Sequence, residues 1–316
     1  MLENYKNILD DNLFTYIDIG SRGGLSPDWE KVKDLIQVVL FEPDKEEAKR
    51  LKINSNNNLL LIPKAVWSHS GEINFHSMRN LSYSSVLKPN KEELEGTYYY
   101  CRNFYEIEKT EKIKVEPLES ALNEYGVNNF DFLKIDIQGA ENYIFNSISN
   151  WNSIIGVHTE AYGSKLYKEG SDISEILKSI YERDLELYDL SVIADSPIVE
   201  IGNKYVFSKE LLNARPKSGY KSRPMVYDLL LFKNKLKILN SNDPKKIRKM
   251  IFILCVYEYF DYALNLIIKA LDRELFKKDE ANIIIESIKI LHRTSIGKLQ
   301  GYKESLRSSS YDLRKR

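Results

Sequence analysis

Cysteine is scarce: Cys101 and Cys255 lie far apart, without a partner at metal-ligand spacing, so the pair suggests neither a disulfide framework nor a zinc site. An excess of charge of one sign is also missing. With 46 basic against 46 acidic side chains, the chain lacks the electrostatic footprint of a nucleic-acid binder, and no nucleic-acid partner is expected. No run approaches ~18 uninterrupted apolar residues, so no membrane span is expected. The opening "MLENYKNILDDNLF" has acids in its first turns instead of the apolar stretch of a secretory signal. The expected location is cytoplasmic.

What is present is an ordinary soluble balance, 43% hydrophobic and 29% charged, enough for one large domain or two small ones. To about residue 193, short β-branched and aromatic runs alternate with helix-period segments, the pattern of parallel strands joined by crossover helices. The spacing predicts strands at 14–19, 38–41, 59–62, 132–137, 154–159 and 186–192 in a mostly parallel α/β sheet with helices on both faces. Asp44 with Glu47, and Asp172 with Glu175, read as capping boxes of two helices. Ile173, Ile176, Leu177, Ile180 and Tyr181 form the apolar stripe of the second. A further helix follows Gly139, with Ala140, Tyr143, Ile144, Ser147 and Ile148 on one face. Residues 64–76 read as a hairpin turning at Ser70 and Gly71, and 77–111 as a tyrosine-rich insertion suited to a lid.

From about 243 the chain is helix-period, with Asp243, Asp261 and Asp279 as helix starts and a frayed, polar last ten residues. The expected organisation is a ligand-binding domain over 1–240 and a helical extension over 241–316. The apolar face of that extension must be covered by the α/β domain or by a second copy, which leaves a homo-oligomer open.

The corner "TYIDIGSRGGLSP" ends a strand at Asp18 and turns through Gly20, Gly23 and Gly24, where the backbone can approach a ligand closely. Glu42 ends the next strand in "VVLFEPD", where a carboxylate can accept both hydroxyls of a ribose. The corner therefore fits an adenosine-containing ligand. The dinucleotide fingerprint Gly-x-Gly-x-x-Gly is absent, because its second glycine is missing.

Together with that corner, "FEPD", "KAVWSHSGEINF" and "FDFLKIDIQGAE" at 130–141 resemble, in order and separation, the FkbM family of methyltransferases over roughly residues 14–193. The resemblance implies a class I methyltransferase (Rossmann-like) fold and S-adenosyl-L-methionine as cofactor. It implies that the corner around Asp18, Gly20 and Gly24 faces the methionine end and that Glu42 binds the ribose; Ser21, Arg22, Pro43, Ala65, Asp136 and Glu141 are also expected at the cofactor. It further implies O-methylation, often of sugars or natural products. Two departures stand out. Ser21 and Arg22 replace the family's usual Ala-Asn pair, and Gln138 replaces the acid of Val-Glu-Gly-Ala-Glu.

Methyl transfer to an alcohol requires an oxygen held in line with the leaving sulfur, and a base for its proton. Asp136 and Glu160 fall at the carboxyl ends of the fourth and fifth predicted strands, where open α/β sheets collect ligands. His158, two residues before Glu160, points to the same side. Asp136 is expected as base or substrate orienter, with Glu160 and His158 as alternates. A divalent ion on these three is conceivable, but no metal is assigned. Glu141 alternatively caps the helix after Gly139. Asn80, Tyr83, Ser84 and Ser85, with Tyr162, offer hydroxyls and an amide to an acceptor, although the same groups also suit a loop that pins itself to the domain. The expected partner is a small-molecule or glycan acceptor of unspecified identity. A nicotinamide-dependent oxidoreductase and a non-catalytic scaffold on this fold are the rival readings.

Overall fold

The structure is a computed structural model, and it describes residues 1–53, 58–97, 102–195 and 223–312. Tyr98, Tyr99, Tyr100 and Cys101, part of the predicted aromatic insertion, lie outside the described residues. The chain forms two compact units, one of residues 15–24 and 38–233, the other of 1–14, 25–37 and 234–316. No helix of the described residues is long and apolar enough to cross a membrane.

The strands are β1 (Thr15–Ile19), β2 (Gln37–Phe41), β3 (Leu59–Ile62), β4 (Ala65–Val66), β5 (Gly71–Met78), β6 (Ile107–Glu116), β7 (Phe132–Ile135), β8 (Gly156–Tyr162), β9 (Leu185–Asp195) and β10 (Arg223–Lys233). The helices are α1 (Leu2–Leu9), α2 (Pro27–Glu30), α3 (Lys45–Ile53), α4 (Lys91–Thr97), α5 (Leu118–Glu124), α6 (Glu141–Phe145), α7 (Ile173–Tyr181), α8 (Lys235–Asn240), α9 (Pro244–Val256), α10 (Phe260–Asp272) and α11 (Lys278–Asp312).

Seven strands form one sheet in the order β3-β2-β1-β7-β8-β10-β9. β2 with β3, β1 with β7, and β7 with β8 run parallel, and β10 runs antiparallel to both neighbours. Every residue of β1 is buried, as a strand covered on both faces requires, so its apolar run reads continuously instead of alternating. The fold is the mixed α/β, mostly parallel sheet expected of a class I methyltransferase. β10 was not anticipated; its Leu229–Phe232 run is buried throughout.

The predicted hairpin over 64–76 is not formed. β4 and β5 both pair with β6, parallel and antiparallel respectively, in a second sheet of order β4-β6-β5. The turn at Ser70 and Gly71 therefore joins strands that flank a third. Much of the expected insertion is ordered as well: its ends belong to β5 and β6, and 91–97 is helical. Of the two capping boxes, Asp172 and Glu175 close reciprocally. Asp44 accepts the N–H groups of Glu46 and Glu47 at 2.9 and 3.3 Å, but the Glu47 carboxylate turns to Gly23 N–H (2.8 Å) and Arg50 instead. Tyr181, placed on the α7 stripe, is 52% exposed. α6 is a short helix, five residues long.

In the helical unit, Phe14 stacks on Trp29 and meets Phe252. Arg248, buried, donates to the carbonyls of Asn7 and Ile8 at the end of α1 and pairs with Glu280 at 2.6 Å. Asp243 caps α9 through Lys245 N–H (2.9 Å). Asp261 and Asp279 stand one residue inside their helices, where a carboxylate still favours the positive end of the helix dipole. The expected fraying of the last ten residues is not seen up to Asp312, because α11 runs that far.

Asp172→Ala removes the acceptor of two helix-start N–H groups and is expected to cost about 1 kcal/mol. A lowered urea midpoint at unchanged slope would record it.

Candidate active site

The carboxyl ends of β1, β2 and β7 are tied together through backbone. Gly20 and Ser21 N–H groups donate to Phe41 O, both at 3.3 Å, and Asp136 N–H donates to Ile19 O at 3.0 Å. Gly20 has φ +82°, and a Cβ there would fall 2.0 Å from Asp136 O. Only glycine fits. A cavity of about 730 Å³ opens over this junction, within the range of sites that hold cofactor-sized ligands. Of the predicted site residues, Gly20, Arg22, Glu42, Pro43, Ala65, Asp136, Ser84 and Ser85 line it.

Glu42 is 4% exposed yet on the cavity wall. Its Oε1 accepts Asp44 N–H at 2.9 Å. Burial pushes its carboxyl up to about 7, against the opposing pull of that N–H and of the Arg22 charge. Arg22 itself is held by Asp44 at 2.6 Å.

Other predicted cofactor residues lie behind the wall. Asp18 is fully buried, between Lys134 Nζ (2.9 Å) and the Tyr16 hydroxyl (3.3 Å). The Ser21 hydroxyl donates to Phe41 O at 3.1 Å. Gly24 closes the corner, its N–H on Ser21 O at 2.9 Å, with φ +88°. Glu141 is buried and accepts the N–H groups of Ile137 (3.0 Å) and Gly139 (3.2 Å), so it anchors the turn preceding α6. Burial raises its carboxyl to about 7.

The centre of the site is Gln138, in the left-handed region at φ +57°. Its Nε2 donates to Asp136 Oδ1 (2.7 Å) and Glu160 Oε2 (3.1 Å), and its Oε1 lies against the hydroxyls of Tyr162 (3.1 Å) and Tyr167 (2.9 Å). Burial raises the carboxyls of both Asp136 and Glu160, that of Glu160 well above its ordinary range. Lys134 stands among them; its burial alone would lower its ammonium, but the charges of Asp18, Asp136 and Glu160 raise it overall. His158, on the same face of β8 as Glu160 and opposite Lys134 in register, has Nε2 on Asp228 Oδ1 at 2.7 Å. Burial would raise Asp228, but the His158 hydrogen bond and charge outweigh it and hold the carboxyl low. Gln138 Nε2 stands between Asp136 and Glu160, and His158 is engaged by Asp228. Among the described residues, no group of three or more His, Cys, Asp or Glu is arranged to hold a metal ion.

The residues predicted for the acceptor are largely engaged internally. Asn80 accepts Ser82 N–H, Ser84 Oγ accepts Met78 N–H, and the Ser85 hydroxyl donates to Gln138 O at 2.9 Å. Tyr83 packs on Tyr105 and Phe104. The loop pins itself to the domain. Sequence reasoning missed the small sheet's share of the cavity: Phe75, Ser77, Lys109 and Glu111 line it. Phe75 pairs with Glu111 and Ser77 with Lys109 across β5 and β6, so period-2 alternation puts all four on one face. That alternation is legible in the sequence only if 107–116 is read as a strand, and no strand is predicted there.

The profile of the methyltransferase FkbM domain matches residues 18–187, just over half of the chain. This protein belongs to the FkbM methyltransferase family. The FkbM match spans β1 to the start of β9 and contains every predicted site residue. Among solved structures, the chain is similar to a "putative methyltransferase" from Thermoplasma acidophilum (8% identity, 70% of this chain and 67% of that one, TM-score 0.32). A "putative S-adenosylmethionine dependent methyltransferase" from Listeria monocytogenes aligns at 8% identity over 74% of this chain and 100% of that one, TM-score 0.33. TrmK from M. capricolum, solved with S-adenosyl-homocysteine, aligns at 10% identity over 92% and 98%, TM-score 0.31. No curated protein matches in sequence.

Two measurements check this geometry. Gly20→Ala is expected to lose at least ~2 kcal/mol of stability, from positive φ and the clash with Asp136 O, read as a lowered unfolding midpoint. Glu141 has a folded value near 7 against an ordinary 4.5, so the folded state binds the extra proton. Its contribution to stability is therefore present below 4.5 and lost as pH rises toward 7, by about 3 kcal/mol at most. Glu141→Gln lacks this loss, and its stability relative to wild type is expected to rise between pH 5 and pH 7.5 in urea unfolding.

Proposed function

We propose that this protein is an S-adenosylmethionine-dependent O-methyltransferase whose acceptor is a hydroxyl of a sugar, a glycan or a related natural product. The observation that carries the reading is the buried Glu42 carboxylate on the wall of a cavity whose floor is the side-chain-free junction at Gly20. The donor set suits the cofactor. Glu42 offers acceptors to two ribose hydroxyls, Ala65 and Pro43 give an apolar wall for a base, and Gly20 lets the ends of β1 and β7 meet beneath it.

S-adenosylmethionine supplies a methyl group on a positively charged sulfur, an electrophile that leaves a neutral thioether. The chain's part is to position and to deprotonate. Asp136, on the cavity wall at the end of β7, takes the proton of the acceptor hydroxyl. The Phe75 ring, the Ser77 hydroxyl and the Lys109–Glu111 pair on the opposite wall match the apolar face and hydroxyls of a sugar.

Calorimetric titration with S-adenosylhomocysteine, S-adenosylmethionine and NAD tests the cofactor. The first two are expected to bind saturably, and binding of NAD alone would overturn the reading. An ionised Glu42 is the stronger acceptor for the two ribose hydroxyls and carries no hydrogen of its own, and burial raises its carboxyl to about 7. Affinity for S-adenosylhomocysteine is therefore expected to rise up to about tenfold per pH unit below 7 and to level off above it. Glu42→Gln should weaken binding by ~10–100-fold and flatten that dependence. Methyl transfer to sugar and glycan acceptors, followed by mass, tests the substrate class; silence across hydroxylated acceptors alongside transfer to an amine would contradict it.

A further inference from the structure

The hydrogens around Gln138 can be followed one by one. Its amide gives one N–H to Asp136 Oδ1 and one to Glu160 Oε2. The Tyr162 hydroxyl lies between Gln138 Oε1 (3.1 Å) and Glu160 Oε2 (3.0 Å), and the Tyr167 hydroxyl between Gln138 Oε1 (2.9 Å) and Tyr83 O (2.8 Å). Each hydroxyl has a single hydrogen for two acceptors, and burial keeps both tyrosines protonated. A proton on Glu160 Oε2 supplies one of the two missing hydrogens: Glu160 donates to the Tyr162 oxygen and Tyr162 gives its own hydrogen to Gln138 Oε1, while Tyr167 keeps one hydrogen to share between Oε1 and Tyr83 O. No such place exists at Asp136, which faces the cavity beside the Lys134 charge.

We propose that Gln138 is the positioning residue of this site: its amide spans the two acids and fixes one proton on Glu160, leaving Asp136 as the ionised acid toward the acceptor. In the reversed orientation Nε2 would donate to the two hydroxyls, but Oε1 would require a proton on each of the two carboxyl groups instead of on one. Pairs of acids whose surroundings separate their titrations are how one site assigns different roles to like groups. The groups facing the pair are Lys134 from β7, Asp18 from β1, Asp228 and, through it, His158 from β10 and β8, and Glu141 from α6. These are unchanged by substitution at 138. A carboxylate at 138, as in the family pattern, would bring a third acid against the pair.

This inference rests on the methyltransferase reading of the cavity, which binding of S-adenosylhomocysteine by the wild type tests separately. The experiment here needs no acceptor: carbon-13 NMR titration of the full chain, labelled at Asp Cγ or Glu Cδ, with assignment by Asp136→Asn and Glu160→Gln. In the wild type the upper step of this coupled pair is expected on Glu160, at least one pH unit above the Asp136 step. Gln138→Leu removes donors that favour the ionised forms, and is expected to move the Asp136 midpoint up by about one pH unit. Gln138→Glu, similar in shape, adds like charge and moves it further, so it serves if the leucine variant does not fold. An upper step on Asp136 in the wild type overturns the proposal. So does an Asp136 midpoint that stays within ~0.3 pH units in every folded Gln138 variant, the result a merely space-filling role predicts.

Discussion

The junction at Gly20 sets the geometry of everything around it. The backbone leaves β1 so close to the backbone leaving β7 that a single methyl group at position 20 would collide with Asp136 O. Two N–H groups of the corner converge on the last carbonyl of β2, and the first N–H after β7 returns to β1. Three strand ends are thus tied together by backbone hydrogen bonds, with the Ser21 hydroxyl added on the same Phe41 carbonyl. Glu42 and Asp136 both reach the cavity lining because their strands end there, on either side of β1.

Around this junction the protein buries an unusual amount of charge. Asp18, Lys134, Asp136, Gln138, Glu141 and Glu160 lie within one polar layer, and Asp18 pairs with Lys134, which in turn pairs with His158, in strand register. Burying an unpaired carboxylate is costly, and proteins commonly neutralise it or surround it with donors. Both solutions occur here. Asp18 has Lys134 and Tyr16; Glu141 has two backbone N–H groups yet is still raised to about 7. Gln138, at a backbone conformation that non-glycine residues seldom adopt, reaches both remaining acids with one planar group. A neutral amide there offers two donors in a place where another carboxylate would add only repulsion.

Much of this was legible in the amino-acid sequence. The parallel strands announced themselves as continuous apolar runs because both faces of the sheet are covered, and the corner and Glu42 could be read from where those runs stop. β10 escaped notice because its apolar run follows a long segment without a period that signals strand. The hairpin over 64–76 was misread because local turn chemistry identifies a reversal and not which strand will lie beside it; β6 arrives some thirty residues later. The residues expected at the acceptor, of which Ser84 and Ser85 line the cavity, are bonded within the chain. Hydroxyls of Ser84 and Ser85 and the Asn80 amide are what a sugar site needs, but short polar side chains next to turns bond first to nearby backbone. Phe75, Ser77, Lys109 and Glu111 carry no local signal and become one surface only when β5 and β6 pair.

The central claim is that the junction and the Glu42 carboxylate together hold the two ends of one adenosyl ligand. Crystals grown with S-adenosylhomocysteine test it most directly. The account predicts density in the 730 Å³ cavity, with both ribose hydroxyls on Glu42 and the thioether lying over the junction of Gly20 and Asp136. Density lying elsewhere in the molecule, or a cavity that stays empty at saturating ligand, would contradict it.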